Sequence, residues 1–163
     1  MSDDQGAPAG LTHVDARGAA RMVDVSGKEV SARTATATGC VLVSSEVVKA
    51  LRGDGVPKGD ALAVARVAGI QAAKRTPDLV PLCHPIAIHG VEVDLQVLDD
   101  RVAISAVVRT ADRTGVEMEA LTVVTVAALT LVDMVKAVDP AAVISDVRVE
   151  EKTGGKTGLW RRD

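Results

Sequence analysis

Two oppositely charged residues, Asp133 and Lys136, stand three positions apart near the end of a long apolar run. At this spacing their side chains share one face of a helix. In apolar surroundings such a pair would have perturbed pKa values, which suits general acid–base catalysis. A structural ion pair near a helix end has the same spacing, so this pattern leaves both interpretations open.

The same run begins with two further acids, Glu117 and Glu119. Glu119 and Asp133 are separated by 14 residues, which is roughly 21 Å along a helix that rises about 1.5 Å per residue. One small ligand cannot readily contact both side chains within one chain. If both serve a compact site, we expect that site to draw on two chains.

The dipeptide Cys83-His84 lies between two prolines, in a stretch that cannot continue a helix. With His13 and His89 it suggests zinc, but adjacent residues rarely bind one ion and no second pair has ligand spacing, so we expect no metal. A cysteine nucleophile with a histidine base would need a third orienting group. Both residues could also be plain core, but we favour a positioned active-site loop.

The segment KTGGKTG contains Lys152 and Lys156 among glycines. It is not a nucleotide-hydrolase phosphate loop, because that motif requires a glycine where Glu150 stands, and no helix follows. Flexible glycines with two lysines can still wrap a phosphate group. A solvated tail explains the same composition, so the phosphate role is one of two alternatives.

The composition of the chain excludes some classes of protein. The 163 residues carry a formal net charge of −3, and the aromatic residues are one Trp, with no Tyr or Phe. Nucleic-acid surfaces stack bases on aromatic rings and are basic, so we expect no nucleic-acid partner. Residues 1–10 lack the apolar core of a signal peptide, and the charge-free run 120–132 is too short to span a membrane. We therefore expect a cytoplasmic protein without a membrane segment.

Hydrophobic periodicity predicts a flexible tail over 1–10 and one domain over 11–163. Strands are predicted over 22–25, 29–43, 86–98, 101–110 and 143–149, and helices over 44–53, 58–74 and 114–138, the last capped by Thr114. From the second strand onward the order is β-α-α-β-β-α-β. This order predicts an α+β, ferredoxin-like split βαβ fold, with helices on one face of an antiparallel sheet.

The helix predicted over 114–138 is apolar on nearly every side. A helix of this kind is buried all round, whereas one sheet covers a single face. The plain candidate for the remaining cover is a second copy of the chain.

Six sequence blocks follow one another along the chain: LTHVDARGAARMVDVSGK (11–28), KGD (58–60), ARVAGIQAAKRTPDLVPLCHP (65–85), TGVEMEALT (114–122), VDMVKAVD (132–139) and EKTGGKTG (151–158). Together they closely resemble the MoaC family, the cyclic pyranopterin monophosphate synthases of molybdenum-cofactor biosynthesis. The resemblance covers nearly the whole chain after residue 10.

The resemblance implies an activity and an assembly. The substrate would be 3′,8-cyclo-7,8-dihydro-GTP, made by a radical-SAM GTP cyclase, and the products cyclic pyranopterin monophosphate and pyrophosphate. The assembly would be a homo-hexamer, a trimer of dimers with active sites between subunits. We expect no cofactor.

The resemblance also assigns residues. Asp133 matches the family's catalytic Asp, and two segments that contact substrate fall on Leu82–His84 and on Met118 and Glu119. Further charged positions of the family's site match Lys58, Glu117, Lys136 and Lys152. From the chemistry we expect proton transfer by Asp133 and Lys136, additional acid–base or holding roles for His84, Glu119 and Lys58, and phosphate contacts from Lys152 and Lys156.

One departure from the family stands beside the catalytic position: Val132 replaces the usual Tyr. We expect it to alter local packing and not the chemistry. The alternative function is a non-catalytic, ferredoxin-like module that binds a small ligand, because a fold alone does not settle function. A purely structural scaffold would leave the Pro-flanked Cys83-His84 loop without a purpose.

Overall fold

The computed structural model describes residues 12–53 and 56–163. The elements run in the order β1 (Ser31–Leu42), α1 (Ser45–Arg52), α2 (Ala61–Ala73), α3 (Thr76–Leu79), β2 (Gly90–Val97), β3 (Arg101–Asp112), α4 (Glu117–Val135), β4 (Val143–Thr153) and β5 (Trp160–Arg161). The tail predicted over 1–10 lies outside the described residues.

In the described part of the chain, five strands form one antiparallel sheet with the order β2-β3-β1-β4-β5. Helices α2 and α4 lie side by side on one face of it, with α4 over β1, β3 and β4 and α2 over β2. The prediction of an α+β, ferredoxin-like fold is confirmed.

The core between sheet and helices is aliphatic, as the composition requires. Its largest fully buried side chains include Ile104, Leu131, Val41 and Val102. Helices α2 and α4 approach closely because Gly69 faces α4: a Cβ atom there would lie 3.1 Å from both the Val123 carbonyl oxygen and its Cγ1 atom. Small residues at this contact therefore set the position of α4.

Local signals explain where two helices begin. The Ser44 hydroxyl accepts a hydrogen bond from the Val47 amide at the start of α1, and the Asp60 carboxylate accepts from the Ala63 amide at the start of α2. The predicted Thr114 cap of α4 is wrong, because that helix begins at Glu117 without a side-chain cap. The Glu117 carboxylate pairs with Lys152 instead of completing a capping box.

Three other predictions are corrected. Residues 22–25 form no strand and pair with none among the described residues. Pro77 lies in the first turn of the short helix α3, where a proline is tolerated, so the stretch after α2 contains one helical turn. Strand β4 continues to Thr153 and the chain returns as β5, so the glycine-rich segment connects two paired strands.

Helix α4 is long and apolar enough to cross a membrane by composition, but half of it is buried in this fold. Its apolar residues pack against the sheet and α2, as in the core helix of a globular protein. The prediction that a second copy of the chain covers the face of α4 turned away from the sheet is incomplete, because α2 of the same chain packs against α4. Val64, Val67, Leu79 and Leu129 remain exposed on the outer side of the helical layer.

Replacing Gly69 by valine tests the close contact between α2 and α4. We expect Gly69→Val to lower the free energy of unfolding by about 1–3 kcal/mol, because added methyl groups would overlap Val123 and Ala127. Urea denaturation followed by circular dichroism measures the change. Gly27→Ala is the control, since a Cβ atom there meets nothing within 4 Å. Equal stability of both variants would contradict the packing argument.

Candidate active site

A cavity of about 800 Å³ opens between the start of α4 and the loop that follows α3. We call it the apolar cavity, because Val80, Pro81, Leu82 and Met118 contribute most of its wall. The complete lining adds His13, Ala20, Cys83, His84, Thr114, Gly115, Glu117 and Glu119. The structure therefore brings both predicted substrate-contacting segments, 82–84 and 118–119, into one cavity.

Glu119 is the buried acid of the apolar cavity, with only 3% of its surface exposed. Burial raises the pKa of its carboxyl group to about 7, and the nearby Glu117 charge adds to the effect. Near neutral pH this group exists in both protonation states. It can therefore donate or accept a proton where the apolar cavity meets a ligand.

Cys83 lies in the turn after α3, where its amide donates a 3.0 Å hydrogen bond to the Val80 carbonyl oxygen. Burial raises the pKa of its thiol above the ordinary value, and the negative charge of Glu119 acts in the same direction. A thiol of this kind stays protonated at neutral pH and is a poor nucleophile. The geometry favours a contact role for Cys83 over the nucleophile alternative.

A second, smaller cavity of about 110 Å³ adjoins the first and shares Thr114, Gly115 and Glu117 with it. We call it the cationic cavity. Among the described residues its lining carries one carboxylate, that of Glu117, and five cationic side chains: Lys28, Arg33, Arg113, Lys152 and Lys156. Such an excess of positive charge, in a chain of net charge −3, creates a local potential that attracts anions.

Glu117 and Lys152 form an ion pair at the junction of the two cavities, with 2.8 Å between Oε1 and Nζ. Both side chains are about one-third exposed. Lys152 reaches the junction because β4 extends past residue 149. The end of β4 thus brings a cation to the start of α4.

The turn after β4 wraps around Arg33. Gly154 and Gly155 have φ angles of +92° and +68°, and a Cβ atom on Gly155 would lie 2.2 Å from the Arg33 guanidinium. Arg33 in turn donates to the carbonyl oxygens of Asp112 and Arg113, at 3.0 and 3.3 Å. The two glycines are required for this close approach, which an ordered turn makes and a solvated tail would not.

The other end of α4 carries an ion triad. Asp133 accepts from Lys136 at 2.6 Å and from Lys58 at 2.8 Å. The hydrogen bonds from Lys136 and Lys58 lower the pKa of Asp133 to about 2. The expected apolar surroundings are wrong for the single chain, because the Asp133 side chain is 54% exposed. At neutral pH Asp133 is an anion that holds two ammonium groups.

The predicted site residues therefore fall into two groups. One surrounds the two cavities at the start of α4, and it contains Leu82, Cys83, His84, Glu117, Met118, Glu119, Lys152 and Lys156. The other is the ion triad near the end of α4, roughly 21 Å away by the helix rise. The structure places Glu119 and Asp133 on one helix and does not bring them together within one chain.

Three cations of the cationic cavity were not predicted from the sequence: Lys28, Arg33 and Arg113. They come from three separate parts of the chain, so spacing could not group them. A signal in the sequence was Arg33, a basic residue inside the Thr- and Ala-rich strand β1. The residues 12–53 and 56–163 include no group of three or more His, Cys, Asp or Glu side chains placed to hold a metal ion.

The fold and the paired cavities define an α+β domain with an apolar cavity beside a cationic one. The chain belongs to the MoaC family, whose sequence model matches residues 22–155. The match contains the loop after α3, the whole of α4 and the two glycines that follow β4, Gly154 and Gly155. The family resemblance inferred from the sequence blocks is confirmed.

Several relatives of this chain are named cyclic pyranopterin monophosphate synthase. The chain is 72% identical to a cyclic pyranopterin monophosphate synthase of Nocardioides, over 99% of each chain. It is also 72% identical to the Streptomyces coelicolor protein of that name, over 93% of this chain and 89% of the relative. Cyclic pyranopterin monophosphate synthase 2 of Mycobacterium tuberculosis is 59% identical over 93% and 91%.

Glu119→Gln tests the buried acid through its pH dependence. Between pH 4.5 and about 7 the unfolded chain has lost the proton that the folded chain keeps, so this group makes stability fall as pH rises. From pH 5 to pH 8 the unmodified protein should lose on the order of 2–3 kcal/mol more than Glu119→Gln.

Denaturation at the two pH values measures the difference. The exposed Glu29→Gln serves as control and should keep the pH dependence of the unmodified protein. Identical pH dependence in Glu119→Gln would show that Glu119 is not the buried titrating acid.

Proposed function

We propose that this protein is an enzyme that converts 3′,8-cyclo-7,8-dihydro-GTP to cyclic pyranopterin monophosphate, with release of pyrophosphate, in molybdenum-cofactor biosynthesis. Membership of the MoaC family and the names of relatives at 59–72% identity support this function. The structural observation on which the proposal depends is the junction of an apolar cavity and a cationic cavity at Glu117.

The two cavities suit the two parts of this substrate. A flat heterocycle fits the apolar cavity, where Glu119 and the backbone of Leu82–His84 can meet its polar edge. The triphosphate fits the cationic cavity beside it. A volume of about 800 Å³ is within the range of small-molecule pockets.

Formation of the cyclic phosphate breaks the bond between the α-phosphorus and the oxygen that bridges to the β-phosphate. The electron pair leaves with pyrophosphate, so cations near that oxygen stabilise the transition state. In this proposal Lys152 and Lys156 bind the phosphates, together with Lys28, Arg33 and Arg113. Lys152 must then exchange Glu117 for phosphate when the substrate enters.

Rearrangement of the purine into a pterin needs several proton transfers and the hydrolysis of a C–N bond. We assign these steps to Asp133, Lys136 and Lys58, with His84, Glu117 and Glu119 as holding or acid–base groups. A pKa of about 2 makes Asp133 a weak base, so the paired ammonium groups are the proton donors of the triad. Asp133 holds them in place through its two hydrogen bonds.

Within one chain the ion triad lies too far from the two cavities to share a ligand with them, whereas the proposed chemistry needs both at one site. A second copy, packed so that its triad reaches the first copy's cavities, resolves the separation. The exposed Val64, Val67, Leu79 and Leu129 supply apolar surface for contacts between copies. We therefore propose the homo-hexamer, a trimer of dimers, with each site shared by two chains.

We also propose where the substrate is made and where the protein works. The substrate would come from a radical-SAM GTP cyclase, and the protein would work in the cytoplasm with neither nucleic acid nor membrane as a partner. We expect neither a metal nor a cofactor to take part in its reaction.

Turnover tests the function. Incubation with enzymatically made cyclo-dihydro-GTP should yield a product that oxidises to a fluorescent pterin. Asp133→Asn keeps the shape of the side chain and removes its charge, and we expect at least a ~100-fold loss of turnover with the oligomer and substrate binding retained. Absence of turnover by the folded, unmodified protein would favour the non-catalytic ligand-binding module.

Mixing two inactive variants tests the shared site. Glu119→Gln and Asp133→Asn are prepared separately, dissociated, mixed and reassembled. In a dimer of one Glu119→Gln chain and one Asp133→Asn chain, one of the two shared sites contains both substitutions and the other contains neither. With random 1:1 mixing about one quarter of the sites should be intact, so activity should return.

The doubly changed chain, mixed 1:1 with unmodified protein, is the control, because each site in its mixed pairs carries one lesion. Random mixing should lower its intact sites from about one half to about one quarter, whereas mixing the two single variants should raise theirs from none to about one quarter. One of the two chains is labelled with ¹⁵N, so that native mass spectrometry can verify mixing; it should also show a hexamer. No recovery in verified mixed oligomers would contradict a site shared in this way.

A further inference from the structure

The segment Met22–Ser26 lies across the loop that carries His84. Val23 and Val25 are half-buried, whereas Met22, Asp24 and Ser26 are exposed. Alternating burial of this kind is typical of a strand, which is what the sequence predicted over 22–25. In the structure the Val23 carbonyl oxygen pairs with a side chain, because the His84 Nε2 atom lies 2.6 Å from it.

That contact determines the chemistry of the imidazole ring. A carbonyl oxygen can only accept a hydrogen bond, so the ring proton must sit on Nε2. In the neutral ring Nδ1 then carries the lone pair. No other hydrogen bond to the His84 ring occurs among the described residues, and His84 lines the apolar cavity. Nδ1 is therefore the ring nitrogen left for a ligand.

The carbonyl is held in place by a local turn. The Asp24 carboxylate accepts a 2.9 Å hydrogen bond from the Ser26 amide, and the Lys28 amide donates to the Val25 carbonyl at 3.0 Å. Farther along, Arg113 donates to the Lys28 carbonyl at 3.0 Å and ties the segment to the end of β3. Asp24 is exposed and adds nothing to the core, so its side chain serves this turn.

We propose that Asp24 is a positioning residue of the active site: its turn holds the Val23 carbonyl against Nε2 of His84, so that His84 meets the substrate through Nδ1. This inference rests on the proposed function for its consequence in turnover. The hydrogen bond itself can be measured without substrate.

The first test is spectroscopic. The chain has three histidines, so protein labelled with ¹⁵N-histidine gives a simple spectrum. We expect a slowly exchanging Nε2 proton on His84, assigned by its loss in His84→Gln. Asp24→Ala should lose this slow exchange, and Asp24→Asn should retain it, because the asparagine side-chain oxygen can also accept from the Ser26 amide.

Asp15→Ala is the matched control. Asp15 makes the same kind of turn in the same N-terminal segment, accepting from the Arg17 and Ala19 amides at 2.8 and 2.9 Å, but it does not adjoin Val23. The His84 proton should stay protected in this variant. A protected proton in Asp24→Ala, or equal loss in Asp15→Ala, would overturn the positioning role of Asp24.

The second test concerns turnover. The Asn side-chain oxygen can accept a hydrogen bond near the place of Nδ1, and the Gln amide nitrogen can donate one near that of Nε2, so His84→Asn should retain more activity than His84→Gln. Asp24→Ala should lower kcat/KM roughly 10-fold in the unmodified protein, as expected for a misplaced catalytic group. In the His84→Asn background it should change kcat/KM less than 2-fold, because the contact to Val23 is already lost.

The opposite order of the two His84 variants, or a full effect of Asp24→Ala in His84→Asn, would overturn the assignment of Nδ1. If the protein shows no turnover at all, the proposed function fails, while the proton measurement still decides whether Asp24 positions His84.

Discussion

The close packing of α4 is the constraint on which the rest of the structure depends. On one side Gly39 of β1 allows the sheet to approach: a Cβ atom there would lie 2.8 Å from Val124 Cγ1. On the other side Gly69 does the same for α2. With no room for adjustment on either side, α4 has one position, and the groups at its two ends are placed as rigidly as the core itself.

This rigid helix places two carboxylates in opposite environments. Burial at the start of α4 raises the pKa of Glu119, whereas two ammonium groups near its end lower the pKa of Asp133. One acid is ready to exchange a proton near neutral pH, and the other is a permanent anion. The division of roles follows from solvent exposure and neighbouring charge, because the two side chains differ by one methylene group.

Much of this organisation is readable from the residues. The Val and Thr content of 29–43 predicted β1, alternation predicted β2 and β3, and helical spacing predicted α2, because such patterns report burial against a neighbour. The Asp133–Lys136 pair followed from spacing on one helix face, and the order of elements led to the correct fold class. Adjacent residues such as Leu82–His84 could be assigned to one loop, because prolines flank them. Local sequence determines local geometry, and these features are local.

Only the tertiary structure decided which residues from distant parts of the chain meet at the candidate site. The cationic cavity joins Lys28, Arg33, Arg113 and Lys152, which lie on four separate segments, and no pattern along the chain relates them. The same holds for the Lys58–Asp133 bond, for the extension of β4 and for the Val23 carbonyl that meets His84 instead of a strand. The start of α4 was misplaced for the same reason, since Glu117 pairs with Lys152, a residue near the end of β4. Sequence determined which residues could do chemistry, but hydrogen bonds and ion pairs between distant segments decided which of them meet.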